Sequence, residues 1–454
     1  MQVIVKKLPF YRRPEDIFHR FREEPMAVFL DSSLENDLGR YSIIGLSPYL
    51  ILQETEGKCT LNGEPQQRDI LTLLKKHLKC IGEVSYSRLP LTAGAVGYFT
   101  YDYGRRFENI SSRHSRRSHI PEALFCFYDN LIIGDLQEQT LYLAVCGQLE
   151  NPDAAIARIS AGIQAAAPLV PLHRHESRAS FQADFTKQEY QKAIREMISY
   201  MKEGHIYVAN MTQQLTVPSD KRPYDTFRYL RTYNPSPFGA YMNYGDFQVV
   251  SASPERFLHM KNNVITTRPI KGTRRRGDTL QEDMQMRMEL ENSQKDRSEL
   301  LMIMDLERND LNRICVPGSV KVTEPFVIEE YATVFHLVSG ITGRLQAGMD
   351  AVDLMSNTFP GGSITGAPKI RAMEIIDELE HNRRELYTGS IGYFAADGAC
   401  DFNIVIRTAV YENGQYRLGA GGGITYESDV EFEYEETLQK ARAVLEAIYD
   451  KNKY

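Results

Sequence analysis

Two short turn signals constrain this chain more than its composition does. Lys261-Asn262-Asn263 separates two β-rich runs, residues 247–260 and 264–270, and Asn413-Gly414 separates two more. Asn and Gly tolerate the positive φ of tight hairpin turns, so each signal predicts an antiparallel hairpin whose pairing can be counted. Folding about Asn262 sets position 255 roughly opposite 269, which brings Glu255 within about one pair of Lys271. Folding at Asn413-Gly414 sets Arg407 roughly opposite Ala420, so a guanidinium faces Gly421, Gly422 and Gly423, whose amides can approach a carboxylate closely.

The first hairpin runs into residues 268–277, where a lysine lies among four arginines: Arg268, Arg274, Arg275 and Arg276. Pro269 fixes its own φ and Gly272 lets the chain turn. Clustered cations disfavour a protonated Lys271, and a free amine can attack carbon. A basic loop exposed to solvent is the other reading of these ten residues, as a surface Glu-Lys pair is for Glu255 and Lys271.

Composition narrows the classes. Over 454 residues, 42% hydrophobic and 25% charged, the chain fits a globular enzyme of two or three domains. A net charge of −7 and a pI near 5.9 argue against nucleic-acid and membrane-surface partners, which rely on positive potential. No apolar run approaches 18 residues and no signal-peptide start is present, so the expected location is the cytoplasm. The six cysteines, at 59, 80, 126, 146, 315 and 400, form no Cys-x-x-Cys pair and are expected to be buried. None sits in the Gly-x-Cys-x-Gly setting of a glutaminase nucleophile.

A β-rich first region, including residues 27–34, 39–45, 94–99 and 143–145, ends at an Ala-, Pro-, His- and Arg-rich stretch between Ala165 and Ala183. The chain accordingly divides into 1–170 and 183–454. Thr186 and Glu189 form a capping-box pattern ahead of Tyr190, Ile194, Met197, Ile198 and Met201 at helical spacing, a core-facing stripe. Residues 205–215 read as a buried strand. Residues 281–312 read as one long helix with Asp296 and Glu299 on one face, and Ser428-Asp429-Val430-Glu431 as a capping box opening a helix that carries Glu433, Glu436 and Lys440. One acid from each helix would suit Mg²⁺, although glutamates so spaced are usually just solvated. Residues 359–368 end at a helix start with Pro368 in its first turn. Anion binding at these glycines and at Gly421–Gly423 fits a carboxylate or, second, a phosphate, but no Gly-Lys-Ser/Thr follows as a P-loop requires.

Residues 251–257 (SASPERF), 268–273 (RPIKGT), 295–311 (KDRSELLMIMDLERNDL), 359–380 (FPGGSITGAPKIRAMEIIDELE), 389–393 (GSIGY), 406–408 (IRT), 419–423 (GAGGG) and 435–445 (EETLQKARAVL) carry a resemblance to the chorismate-utilising synthases. Within them the chain is similar to the aminodeoxychorismate branch, because anthranilate synthases carry alanine at the position of Lys271. The resemblance implies an α+β fold of two orthogonally packed antiparallel sheets flanked by helices, with a smaller N-terminal lobe against a catalytic lobe. It implies chorismate and ammonia as substrates, a separate glutamine amidotransferase subunit, Lys271 as nucleophile and Glu255 as general acid. Arg407, Tyr393 and the Gly421–Gly423 amides would hold one substrate carboxylate. Mg²⁺ on Glu299 and Glu436, with Asp296 and Glu433 close by, would hold the other, with Thr273, His336, Ser363 and Lys440 around the ring. It further implies an amino-acid pocket, which in relatives holds tryptophan, from Asp31, Ser32, Tyr41, Ser42, Asn234, Pro235 and Phe238. Asp31 stands where the anthranilate enzymes usually have Glu, and a plain strand-loop-strand is the other reading there. Val208 occupies the place of the water-activating lysine of isochorismate synthases and of the usual Gln of ammonia users. Anthranilate synthase component I is the alternative within the enzyme class, against which Lys271 argues. A tryptophan-binding regulatory protein is the alternative outside it, against which Glu255, Glu299, Arg407 and Glu436 together argue.

Overall fold

The computed structural model describes residues 3–34, 36, 38–82, 88–175, 177–331 and 334–449. Every strand pairing among them is antiparallel, and the pairings lead from strand to strand in one connected network. The fold class is the expected α+β, with the sheets continuous with each other. Continuity comes from long strands: Ala123–Asp135 is buried at every position, which is why it reads as an unbroken apolar run, and it pairs along nearly all of Tyr41–Thr55.

The regions before and after the linker share sheet edges. Val28–Asp31 pairs with Phe238–Asn243, and Gly94–Phe99 pairs with Ser390–Ala395. The described residues between Ala165 and Gln182 carry no regular structure and cross between the two, tied down where the Leu169 N–H donates to Asp16 and the Tyr233 hydroxyl donates to the Leu172 carbonyl. Behind the Gly94–Phe99 edge, Phe99–Phe125 and Phe394–Phe402 pack as tilted ring pairs with centroids 4.7 Å apart. Truncating any one of these buried rings to alanine costs roughly 3–5 kcal/mol. Five of the six cysteines are buried as expected, but Cys80, the last residue of helix Ile70–Cys80, is exposed.

Three local expectations are refined. The Thr186–Glu189 capping box does open helix Lys187–Lys202, with Tyr190, Ile194, Met197 and Met201 buried. The stretch 281–312 is two helices, Leu280–Asn292 and Gln294–Asn312, because the Ser293 side chain accepts the Asp296 N–H and so starts a new N-terminus. At the last helix, Val430–Ile448, the cap is Asp429, one residue later than expected, since Ser428 is turned inward to Glu433.

For the site, strand lengths matter most. Gln415–Thr425 pairs with Val208–Pro218 along its whole length, but with Thr408–Glu412 only as far as Leu418. Past Leu418 one backbone edge of this glycine-rich strand has no second strand against it among the described residues.

Candidate active site

The 247–260 run is broken by Pro254-Glu255 into Phe247–Ser253 and Arg256–Lys261, and Glu255 occupies the break. Arg256–Lys261 turns back through Asn262 and Asn263, both at positive φ, pairing Lys261 with Val264 and His259 with Thr266. Extended, that register sets position 255 opposite 270 rather than 269, one residue from the count about Asn262 because the turn itself has two residues. Glu255 is buried, and its Oε1 accepts the Ser363 hydroxyl at 2.8 Å. Burial pushes its carboxyl above the usual range, opposed by Ser363, Lys271, the Ile270 amide and Lys440.

Lys271 lies on Ile270–Arg275, which pairs with Val334–Arg344. The register slips at Gly272, whose φ is +77 and where a Cβ would come within 2.8 Å of Asp296 Cγ and Leu290 Cδ1. Only glycine fits this bulge. The arginine cluster does not surround the lysine as expected. Arg268 is bound by Glu324 and Glu329, Arg274 by Glu289 and Asp296, Arg275 by Glu282 and Arg276 by Asp283. Their charges are spent on acids that close-range counting along the loop does not reveal. Lys271 instead acts on Glu255 and Glu299, and a methyl added at Gly423 would sit 3.0 Å from its Nζ.

Thr273 Oγ1 lies 2.9 Å from His336 Nδ1. Burial, together with the Arg407 charge, lowers the His336 pKa to about 3, so its ring is neutral, and its buried Nε2 has no hydrogen-bond partner. Arg407 stands one residue before Thr408–Glu412, at φ +50, in line with Ala420 when the register is extended, as counted. No carboxylate lies within ion-pair reach of it among the described residues, and burial lowers even its pKa. A half-buried guanidinium without a counter-ion is an anion receptor.

Gly422 and Gly423 give the site its space. A Cβ on Gly422 would meet Glu436 Oε2 at 2.8 Å and Glu433 Oε2 at 3.2 Å. The Gly421 carbonyl accepts Lys440 Nζ at 3.0 Å, and the same ammonium pairs with Glu436 at 3.0 Å. From the facing helix, Lys295 Nζ lies 3.9 Å from both Glu299 and Glu433. Burial is the first cause that raises the carboxyl of Glu299, with Asp296 and Glu436 adding to it. Burial likewise raises Glu433, against the Ser428 hydroxyl bond, with Glu436 again adding. Asp296 is less free, held by Arg274 at 3.1 Å. No preformed group of three metal-ligating side chains occurs among the described residues. The donor chemistry still fits a hard divalent cation: carboxylates crowd from two helices, and at present two lysine ammoniums answer their charge. Lys295 had no place in the sequence reading.

Tyr393 is displaced from its expected place. It lines a cavity of about 280 Å³ walled by residues from before and after the linker, together with Asp31, Ser32, Tyr41, Phe238 and Arg256. The tyrosine brought to the glycine strand is Tyr387, whose ring would collide with any Cβ on Gly419 and whose phenol, raised by burial, feels Glu255 and Glu436. The only sequence signal for it was its position just ahead of the GSIGY strand. Of the amino-acid pocket residues, Ser42 stands behind the cavity, donating to Asp31 at 3.4 Å and accepting the Ser32 N–H, while Asn234 and Pro235 fall outside the lining and Pro237 takes their place. The Asp31 carboxylate is already paired with Arg231 at 2.9 Å. Val208 is buried, opposite Ala367 and Thr425, and brings no base.

An arginine with no counter-ion among the described residues, an open glycine edge and a lysine within electrostatic reach of two acids are what a small anionic substrate would meet here. The chain belongs to the family of chorismate binding enzymes, matched over residues 27–446. It is 36% identical to aminodeoxychorismate synthase component 1 of Bacillus subtilis over 98% of this chain and 96% of that protein. It is 37% identical to anthranilate synthase component 1 of Thermus thermophilus over 93% of this chain and 92% of that protein. The crystal structure of anthranilate synthase component I from Streptococcus pneumoniae superposes with a TM-score of 0.81 at 29% identity, covering 91% of this chain and 93% of that one.

The slot beside Gly423 yields a prediction. Gly423→Ala places its methyl against the mobile end of Lys271, so folding should shift by no more than about 1 kcal/mol. Displacing the amine should nevertheless cut turnover by about 10²-fold, since near-attack placement is lost. Paired thermal unfolding and kcat measurements check this, and equal losses in both would rule the slot out.

Proposed function

We propose that the chain converts chorismate and ammonia to 4-amino-4-deoxychorismate, the amino donor reaching it from a separate glutamine amidotransferase subunit. Overall identity favours this branch narrowly, with aminodeoxychorismate synthase components 1 matching at 36% to 42% and anthranilate synthase components 1 at 33% to 37%. The observation that carries the reading is Lys271, an amine held in a glycine slot and acting on Glu255 and Glu299.

In this reading Arg407, with the Gly421 and Gly423 backbone and Tyr387, receives one substrate carboxylate. The Lys271 amine adds at ring C2, the double bond shifts, and the C4 hydroxyl leaves as water with a proton from Glu255. A raised carboxyl suits this role, because it keeps its proton at higher pH than an ordinary glutamate. Ser363 fixes the Glu255 oxygen, and neutral His336 with Thr273 offers its unpartnered Nε2 near the ring. Ammonia then adds at C4, the shift reverses, and the Lys271 amine departs. The enolpyruvyl group stays on the product.

Glu299 and Glu436, with Glu433 beside them, would hold Mg²⁺, which supplies charge neutralisation for the second substrate carboxylate. Lys295 must then yield its place between the helices. Glu299→Gln and Glu436→Gln should each weaken Mg²⁺ binding at least tenfold by calorimetry in the presence of chorismate and abolish turnover in a folded protein. Unchanged binding in both would move the cation elsewhere.

With chorismate and Mg²⁺ but no ammonia, intact-protein and peptide mass spectrometry should find chorismate less one water on the peptide containing Lys271. Ammonium should discharge this adduct, whereas glutamine should do so only with an added amidotransferase. Lys271→Ala should lose the adduct and most product. Full activity of that variant with unchanged product would return the lead to direct amination.

The cavity lined by Tyr393 is our second assignment, as an amino-acid pocket. Because Asp31 is engaged by Arg231, a ligand ammonium would have to share that carboxylate. L-Tryptophan should raise the unfolding temperature and Phe238→Ala should remove the shift; no shift in the unaltered protein would leave the cavity without this ligand.

A further inference from the structure

Behind Ser363 lies a buried charged cluster that the reaction above does not use. Glu307, on the helix that carries Glu299, is 3% exposed. Its Oε1 accepts the Gly362 N–H at 2.9 Å, and its Oε2 accepts the Thr267 hydroxyl at 3.4 Å. One turn on, Asp310 binds Lys369 Nζ at 2.6 Å, and the same ammonium donates to the Thr358 carbonyl at 2.9 Å and the Pro360 carbonyl at 2.8 Å. Arg384, held by Glu380, donates to the Ile364 carbonyl at 2.7 Å. The turn around Ser363 is thus fastened at 360, 362 and 364, and its one side-chain product is the 2.8 Å bond from Ser363 to Glu255.

These fastenings are not alike. Lys369 and Arg384 each bring their own carboxylate, so they form neutral buried pairs. Glu307 has no cation within ion-pair distance among the described residues, and burial pushes its carboxyl up, with Asp310 and Glu255 adding to the shift and Lys369 and the Gly362 amide opposing it. A buried acid without a counter-ion costs stability that an apolar residue of the same size would not. Such a group, one hydrogen bond from the residue that orients the proton donor, is placed for the reaction rather than for the fold.

We infer that Glu307 is a positioning residue: by holding the Gly362 N–H it sets the Ser363 hydroxyl, and through it Oε1 of Glu255. The inference rests on the proposed role of Glu255.

A double-mutant cycle tests it on steady-state product formation and on the Lys271 adduct rate. Glu307→Leu should lower kcat by about 10-fold to 100-fold, the range that misplacement of a catalytic group produces, with KM changed less than about threefold. Ser363→Ala should do likewise, and the double variant should be no slower than Ser363→Ala alone, because both act on one bond. Glu307→Gln keeps an acceptor for Gly362 and should retain most of kcat. Multiplicative losses in the double variant, or a Glu307→Gln variant as slow as Glu307→Leu, overturn the inference. If Glu307→Leu fails to fold, Glu307→Ala takes its place in the cycle. Wild-type turnover without any Lys271 adduct would instead strike at the lysine reading, while the cycle on product formation would still judge Glu307.

Discussion

The site depends on a strand that ends early. Thr408–Glu412 stops beside Leu418 while Gln415–Thr425 continues, and Arg407 leaves the ladder at φ +50. Backbone groups inside a protein need partners, so an edge released at depth must be answered by something other than a strand. Lys440 answers it at the Gly421 carbonyl. The remaining edge, beside an arginine with no counter-ion among the described residues, offers donors that an anion would satisfy. The absence of side chains at Gly422 and Gly423 follows, because Glu436, Glu433 and Lys271 occupy the space that a Cβ would need, while at Gly421 a Cβ would strike the Met211 carbonyl and Thr212 of the neighbouring strand.

Around this gap the protein accumulates unfavourable charge on purpose. Glu255, Glu299 and Glu433 are each raised mainly by burial, and Glu307 by burial with an acid beside it. Lysines answer three of them: Lys271 near Glu255 and Glu299, and Lys295 between Glu299 and Glu433. Such a site is stable enough to fold but electrostatically incomplete, so an incoming ion would meet charge that is already poised rather than charge that must first be stripped of water.

How much of this was legible in the sequence follows from the range of the forces involved. Asn413-Gly414 sets a two-residue turn, and the observed register, extended past its last pair at Ala409 and Leu418, sets Arg407 in line with Ala420 as counted. At Lys261-Asn262-Asn263 the count slipped by one, because a three-residue signal hides a two-residue turn with both asparagines at positive φ. The arginine argument failed for a different reason. Arg268 and Arg274 find acids on other strands and helices, and local spacing says nothing about those neighbours. Tyr387, Lys295 and Glu307 were missed likewise, since each is defined by what tertiary packing brings across from another element. The carboxylates of the two helices lie within electrostatic reach of one another, Glu299 and Glu433 each feeling Glu436, because an i, i+3 spacing survives wherever the helix docks.

The lysine chemistry consequently cannot be carried by one residue. An amine at 271 needs the bulge at Gly272, where Asp296 and Leu290 exclude a side chain, and it needs the space left by Gly423. It also needs an acid whose carboxyl is raised above the ordinary range, as burial raises Glu255, and a hydroxyl to aim that acid, which Ser363 provides. An alanine in place of the lysine would leave Arg407, the glycine edge and the acids of the two helices where they are, so the anion-facing part of the site can exist without the amine, whereas the amine depends on glycine at both 272 and 423.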